Sequence, residues 1–213
     1  MNLPDLDLQF VYARLAWGVV LGALALSLAR RWDASNRVVL ACLAVVAAGS
    51  QWFPGPWSPA WWLGLAFQSP SGLSAVLCAV ILRDRWLGRD SAGLVPLPLA
   101  AALVAAGALL YLDASGWLAL GGIYFAGFGA VAAPVAALLM AGACAWAIAR
   151  GAGSRAAGAV LAAVSLFTVL RLPTGNLWDA LLDPFLWLWC VGACLSALRG
   201  RIALRPRPAG AAG

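Results

Sequence analysis

The sequence predicts an all-α fold: a polytopic bundle of seven transmembrane helices in a single domain. Apolar residues make up 64% of the chain, charged residues only 10%, and the mean hydropathy is +0.90. This composition leaves too little polar surface to cover a water-soluble globule. Several apolar stretches approach or exceed the roughly 20 residues that a helix needs to cross a bilayer. We expect one membrane domain over 1–199 and a disordered, Arg/Pro/Gly-rich cytoplasmic tail over 200–213.

Charged or Pro/Gly-rich segments separate the apolar stretches and define the spans in chain order. The first span follows an acidic leader, the second is short, and the third is interrupted by the polar segment 68–72. The fourth carries two prolines in its first turn, where missing backbone donors cost least. The predicted spans are about 8–29, 38–53, 60–82, 94–112, 128–149, 156–172 and a seventh that ends near Leu198.

The apolar stretch 117–149 is too long for one crossing, because it would extend about 50 Å at a rise of 1.5 Å per residue. Four glycines between 121 and 129 favour a break there. The break leaves a short interfacial or re-entrant piece before the fifth span. Two alternatives stay open: the piece from Trp117 is itself a span, or the segment after Thr174 joins its neighbours differently.

The arginines predict the orientation of the chain. All fourteen basic residues are arginines, and twelve of them lie in the gaps after spans one, three, five and seven. With three aspartates these gaps carry a net charge of +9, whereas the opposite side, with two arginines and five aspartates, carries −3. Because cytoplasmic loops hold the excess of basic residues, the N-terminus is predicted outside and the C-terminus inside an inner (plasma) membrane. The same bias explains the overall charge of +6, so we expect no nucleic-acid partner.

Tryptophans cluster near both predicted membrane boundaries, as in an aromatic belt. The segment 51–62 alone holds four tryptophans and three prolines. We expect this stiff, partly apolar segment to fold onto the outer surface as a cap. A stacking or lipid-binding wall is the alternative to a simple belt.

Missing residue types exclude several classes of function. The chain has no lysine for a retinal Schiff base and no histidine for a bis-histidine haem or an HExxH zinc site. It has no P-loop motif, and Cys190 and Cys194, one turn apart, provide too few ligands for a metal. We therefore expect no cofactor, no metal and no catalytic residue. An intramembrane enzyme would have only Asp179 to offer as a base.

The candidate site residues are polar groups in or beside predicted spans, where the bilayer makes them costly. Arg14 and Arg171 lie on the side with net charge −3, where the excess of basic residues in cytoplasmic loops does not explain an arginine. The interruption of the third span adds an amide and a hydroxyl near mid-membrane, with a simple kink as the alternative. The predicted binding residues are Arg14, Gln68, Ser69, Arg171, Asn176, Asp179 and Asp183.

The segment after Arg171 resembles a short amphipathic helix. Asn176, Asp179 and Asp183 share one face of that helix at helical spacing. Helix capping is the alternative for both aspartates, and it is strongest for Asp183, which directly precedes a proline. We predict that Arg171 and Asp179 form an ion pair in an outward-facing cavity closed by the tryptophan segment.

Three functional classes fit these features. The first binds or transports a small anionic solute or a lipid headgroup. The second is a non-catalytic subunit, scaffold or assembly factor of a larger membrane complex, and the third is an enzyme. The expected partners are the bilayer, an anionic small molecule or lipid, and either a second copy of the chain or another membrane protein.

Overall fold

A computed structural model describes residues 3–29, 49, 53–91, 93–118 and 122–203. Of these residues 76% are helical and none lies in a strand, which confirms the all-α class. Nearly all of the predicted second span, 38–53, lies outside the described residues, as does the tail from 204 onward. The last helix continues to Ala203, three residues beyond the predicted start of the tail at 200.

The helices follow one another with short connections. They are α1 (Leu6–Ala29), α2 (Pro59–Phe67), α3 (Gly72–Trp86), α4 (Leu97–Ala114), α5 (Ile123–Ala126), α6 (Ala132–Ala149), α7 (Ser154–Leu170), α8 (Leu177–Leu181) and α9 (Pro184–Ala203). A 3₁₀ turn, Gly55–Trp57, precedes α2.

Three segments among the described residues are long and apolar enough to cross a membrane: Leu6–Ser27 in α1, Leu97–Ala114 in α4 and Ala132–Ala149 in α6. Ser154–Leu170 and Pro184–Gly200 are apolar but shorter. These helices are consistent with a membrane protein. Only 11% of the α6 segment is buried inside the protein, so most of α6 faces outward.

Local sequence explains where several helices begin and end. The side chain of Asp5 accepts hydrogen bonds from the amides of Asp7, at 2.9 Å, and Leu8, at 3.3 Å, and so caps α1. Gly153 precedes α7 with a φ of 60°, a conformation that glycine adopts without strain. Arg171 ends the same helix in the left-handed region, with a φ of 58°.

The predicted interruption of the third span is confirmed, and it is a complete break rather than a kink. Helix α2 ends at Phe67, Gln68 has a φ of 60° and a ψ of −152°, and α3 begins at Gly72. Oγ of Ser71 accepts from the amide of Ser74 at 3.1 Å and caps the new helix.

The break predicted between 121 and 129 is also present. The four-residue helix α5 lies between α4 and α6, with Gly122 at its N-terminus in the left-handed region at a φ of 81°. A helix this short cannot cross a bilayer. Residues 117, 118 and 122–126 therefore do not support the alternative that the segment from Trp117 forms a span.

The prediction of a single amphipathic helix over 176–183 is wrong at the C-terminal end of that helix. Helix α8 stops at Leu181, and Leu182 is extended with a φ of −144°. Asp183 caps the next helix instead: its Oδ1 accepts from the amide of Leu186 at 2.8 Å. The physical reason is Pro184, which disfavours a helical conformation for the residue before it and suits the first turn of α9. The capping alternative for Asp183 is confirmed.

Helices α3 and α7 pack against each other at the centre of the bundle. Helix α1 lies on α3, α6 on α7, and α4 on α9, while α8 contacts both α3 and α7. Gly72 allows this packing, since a Cβ there would stand 3.1 Å from the carbonyl oxygen of Ala180 and 3.5 Å from Cβ of Ala163. The arrangement brings the start of α3 against α7 and α8 and, through Asp183, close to the start of α9.

Candidate functional site

The polar side chains of this meeting point belong to residues 68–71, to α5 and to the segment 171–183. We call it the outer junction, because the predicted topology puts α5 and the segment 171–183 on the outer side. Asp183 lies at its centre and is only 7% exposed. Its Oδ2 accepts from the backbone amide of Ser71 at 2.8 Å, while its Oδ1 caps α9. One carboxylate therefore binds the N-termini of two helices, where partial positive charges favour it.

Asp179 is half-buried and is bound by hydroxyl groups. Oγ1 of Thr174 donates to its Oδ2 at 2.6 Å, and the hydroxyl of Tyr124 lies 3.1 and 3.2 Å from its two oxygens. Burial raises the pKa of Asp179, and the two hydroxyl donors offset part of that shift. Burial, followed by the charge of Asp179, raises the pKa of Tyr124 to about 12. Tyr124 therefore stays a protonated donor at neutral pH.

Asn176 ties α8 to α5. Its side chain is fully buried; Nδ2 donates to the carbonyl oxygen of Tyr124 at 3.1 Å, and Oδ1 accepts from the amide of Trp178 at 2.9 Å. The indole of Trp178 donates to the carbonyl oxygen of Ile123 at 2.9 Å. Asp113, at the end of α4, accepts from the amide of Tyr124 at 2.9 Å. The short helix α5 is thus fixed from both sides by polar contacts.

Helix α1 provides three donors to the carbonyl groups exposed by the breaks. Gln9 donates to the carbonyl of Pro173 at 3.0 Å. Tyr12 donates to the carbonyl of Pro70 at 2.8 Å, and Trp17 to that of Gln68 at 2.9 Å. These bonds satisfy backbone groups that a broken helix cannot pair internally.

The predicted ion pair between Arg171 and Asp179 is not formed. The guanidinium of Arg171 lies over the ring of Phe167, 5.1 Å from its centroid, while Asp179 is bound to Thr174 and Tyr124. Among the residues that the structure describes, Arg171 has no carboxylate partner. This contact holds the guanidinium over the preceding turn of α7 instead of beside Asp179.

The other predicted site residues lie in α1 and in the break. Arg14 is half-buried within α1, and Ser69 is half-buried in the break. The side chain of Gln68 is exposed, and its contribution to the contact with α1 is its backbone carbonyl. The structure brings Asp183 to the break and brings Asn176 and Asp179 to α5, and it leaves the side chain of Gln68 exposed.

Five residues of the junction were not anticipated from the sequence: Gln9, Tyr12, Trp17, Tyr124 and Thr174. Thr174 is the one member of this set that is close in sequence to its partner, Asp179. The remaining four act over long sequence separations and had no local signal.

The described part of the tryptophan segment does not form a packed cap. Trp57 is 79% exposed and Trp62 is 60% exposed, although the indole of Trp62 donates to the carbonyl of Pro56 at 2.8 Å. Exposed indoles at a membrane boundary are typical of an aromatic belt.

No protein-family model, no curated protein and no solved structure matches the chain.

Proposed function

We propose that this protein is a multi-pass inner-membrane protein with seven transmembrane helices, its N-terminus outside and its C-terminus in the cytoplasm. In this proposal the outer junction binds, and serves to transport, a small anionic solute or the anionic headgroup of a lipid. The net charges of +9 and −3 on the two predicted sides support the topology.

The observation that carries the binding proposal is the free charge of Arg171. Orientation gives no reason for an arginine on the negative side, and no carboxylate among the described residues neutralises it. The ring of Phe167 holds the guanidinium through a cation–π contact. A planar guanidinium in a fixed position binds phosphate or carboxylate oxygens through two parallel hydrogen bonds.

The interruptions that precede α3 and α9 create a point in the junction that stabilises negative charge. Interrupted helices with their N-termini directed at one point are a recurring way to bind anions within membrane transporters. The N-termini of α3 and α9 meet at Asp183, which accepts from an amide at 2.8 Å in each case. Asp183 already accepts from these amides, so the external anion of this proposal binds through Arg171.

Removal of the charge of Arg171 tests the proposal. We expect Arg171→Gln to weaken binding of phosphatidylglycerol or of inorganic phosphate about tenfold, since a hydrogen bond to a charged group contributes about 1.5–3 kcal/mol. Native mass spectrometry of the purified full chain measures retained lipid, and titration with inorganic phosphate measures the free anion. If Arg171→Gln loses the retained lipid, the ligand is a headgroup. If Arg171→Gln loses the binding of inorganic phosphate, the ligand is a solute.

Arg150 provides a matched control. It also follows the end of a helix and stacks on an aromatic ring one turn back, with its guanidinium 4.5 Å from the centroid of Trp146. It lies on the predicted cytoplasmic side. If Arg150→Gln and Arg171→Gln reduce binding equally, or if neither does, the proposal of an outer anion site is refuted.

A second candidate, a non-catalytic subunit or scaffold of a larger membrane complex, has its own supporting observation. Every buried polar side-chain atom of the described residues has a hydrogen-bond partner. A junction that satisfies itself in this way fits a structural role. Co-purification under mild conditions discriminates the two: a stoichiometric protein partner with no dependence on Arg171 favours the scaffold.

A further inference from the structure

A second polar site lies at the end of the bundle opposite the outer junction. A cavity of about 400 Å³ opens between α3 and α7. Val76 and Val80 of α3 form one wall, and Gly158 and Ala159 of α7 form the other. This volume lies within the range of about 300–1,000 Å³ that small-ligand sites occupy. We call it the inner cavity.

Three arginines and one aspartate line the mouth of the inner cavity: Arg83, Arg89, Arg155 and Asp84. Asp84 is only 3% exposed and forms an ion pair with Arg155 across the gap between the helices. Arg155 also donates to the carbonyl oxygen of Asp90 at 3.4 Å. One guanidinium is thereby fixed, and its charge is balanced by Asp84.

The other two arginines leave the inner cavity with an excess of positive charge. Arg83 and Arg89 are exposed, and within the described ranges neither has a carboxylate partner. With the pair of Asp84 and Arg155 neutral, the lining carries a net charge of +2. Two cations held beside a cavity repel each other, so an anion between them is favourable.

The first turn of α7 adds backbone donors to the same wall. Gly153 precedes the helix and offers no side chain to cap it, and no side-chain cap is formed. Ser154 and Arg155, the first two residues of the helix, line the inner cavity. The amides at the start of a helix lack intrahelical acceptors and favour an anion such as phosphate.

We propose that the inner cavity binds a phosphate group, and that in the membrane this phosphate is the headgroup of an anionic phospholipid. Basic pockets between transmembrane helices on the cytoplasmic side bind such headgroups. Arg83 and Arg89 neutralise the phosphate, Arg155 is held in place by Asp84, and the start of α7 donates backbone amides. This site is separate from the outer junction and does not depend on its function.

The double variant Arg83→Gln/Arg89→Gln tests the proposal, because it leaves the pair of Asp84 and Arg155 intact. The full chain is reconstituted in phosphatidylcholine nanodiscs that contain phosphatidic acid, and retained phosphatidic acid is measured by native mass spectrometry. We expect retention to fall about tenfold or more, since each arginine near a membrane surface contributes about 1 kcal/mol.

Arg85→Gln is the matched control, because Arg85 lies in the same last turn of α3 but does not line the inner cavity. Equal losses in Arg85→Gln and the double variant overturn the proposal, as does wild-type retention in the double variant. A second arm titrates inorganic phosphate into phosphatidylcholine nanodiscs without anionic lipid and follows the thermal midpoint. Stabilisation by phosphate that is lost in the double variant, together with equal retention of phosphatidic acid by the wild type and the double variant, assigns the site to free phosphate. That result overturns the headgroup assignment.

Discussion

Gly127 shows at the scale of one residue how a missing side chain permits the contact between α5 and α8. Its φ of −63° is ordinary for any residue, so conformational freedom does not explain the glycine. A Cβ at this position would overlap Oδ1 of Asn176 and stand 2.6 Å from Cδ1 of Trp178. Because Asn176 and Trp178 both donate to α5, the space at position 127 is what allows the two short helices to join.

We therefore expect Gly127→Ala to lower the thermal midpoint of the purified protein. Overpacking of this kind costs about 1–3 kcal/mol, and here it also displaces two hydrogen-bonding side chains. Gly142→Ala is the control, since an added Cβ in the middle of α6 meets nothing within 4 Å. Alanine there favours the helix by up to about 1 kcal/mol. A fall of the midpoint in Gly142→Ala equal to that in Gly127→Ala would contradict this explanation.

Sequence separation decides which residue roles were predictable. Capping by Asp183 could be inferred as the alternative to ligand binding, because the residue that it caps and the proline that follows lie within three positions of it. The contact of Asp179 with Tyr124 joins residues 55 positions apart, and no periodicity or motif links them. The expected partner of Asp179 was therefore the nearest opposite charge, Arg171, and the fold replaced it with two hydroxyls.

At the scale of the element, the break between α2 and α3 was predictable from its own residues. Pro70 lacks a backbone donor, and Gly72 tolerates the close approach of α8. What the sequence could not show is how the freed carbonyls are satisfied. Tyr12 and Trp17 belong to a helix that composition alone marks as an apolar span, and only the packing of α1 on α3 reveals their polar role.

The contact between α5 and α8 is expected to make stability depend on pH. Burial raises the pKa of Asp179 above its ordinary value of 3.8, so the folded state favours the protonated form. This contribution to stability is fully present below the ordinary value and is lost as the pH rises through the raised pKa. We expect the thermal midpoint of the wild type, relative to Asp179→Asn, to rise as the pH falls from about 7 to about 4.

Asp179→Asn is a suitable reference, because its side-chain oxygen still accepts from Thr174 or Tyr124 but does not titrate. Subtraction of its pH profile removes the contribution of every other acidic group. If the difference in thermal midpoint between the two proteins stays constant with pH, Asp179 has the same pKa in the folded and the unfolded chain. A thermal midpoint of the wild type that falls toward low pH, relative to that of Asp179→Asn, would contradict the expected sign.

At the scale of the whole molecule, helix length limits what the fold alone reveals about topology. Three segments among the described residues meet the length and composition of a span, while α7 and α9 are apolar but offer shorter segments. The interrupted helix α2–α3 consists of pieces of 9 and 15 residues, neither of which is long enough alone. The seven-span proposal therefore depends on the alternating arginines, which act through the membrane rather than through contacts within the bundle.

Accessibility from the two sides of the membrane tests this topology. In a variant without its five native cysteines, single cysteines are introduced as Ser115→Cys, after α4, and Ala152→Cys, between α6 and α7. Both positions are exposed in the fold, so the membrane alone decides their reaction with an impermeant maleimide. We expect label at position 115 in right-side-out vesicles and at position 152 in inside-out vesicles. The reverse pattern would invert the predicted orientation and move Arg171 to the cytoplasmic side, where the positive-inside bias alone explains it. Label at both positions from one side would mean that α6 does not cross the membrane, and the seven-span count would fail with it.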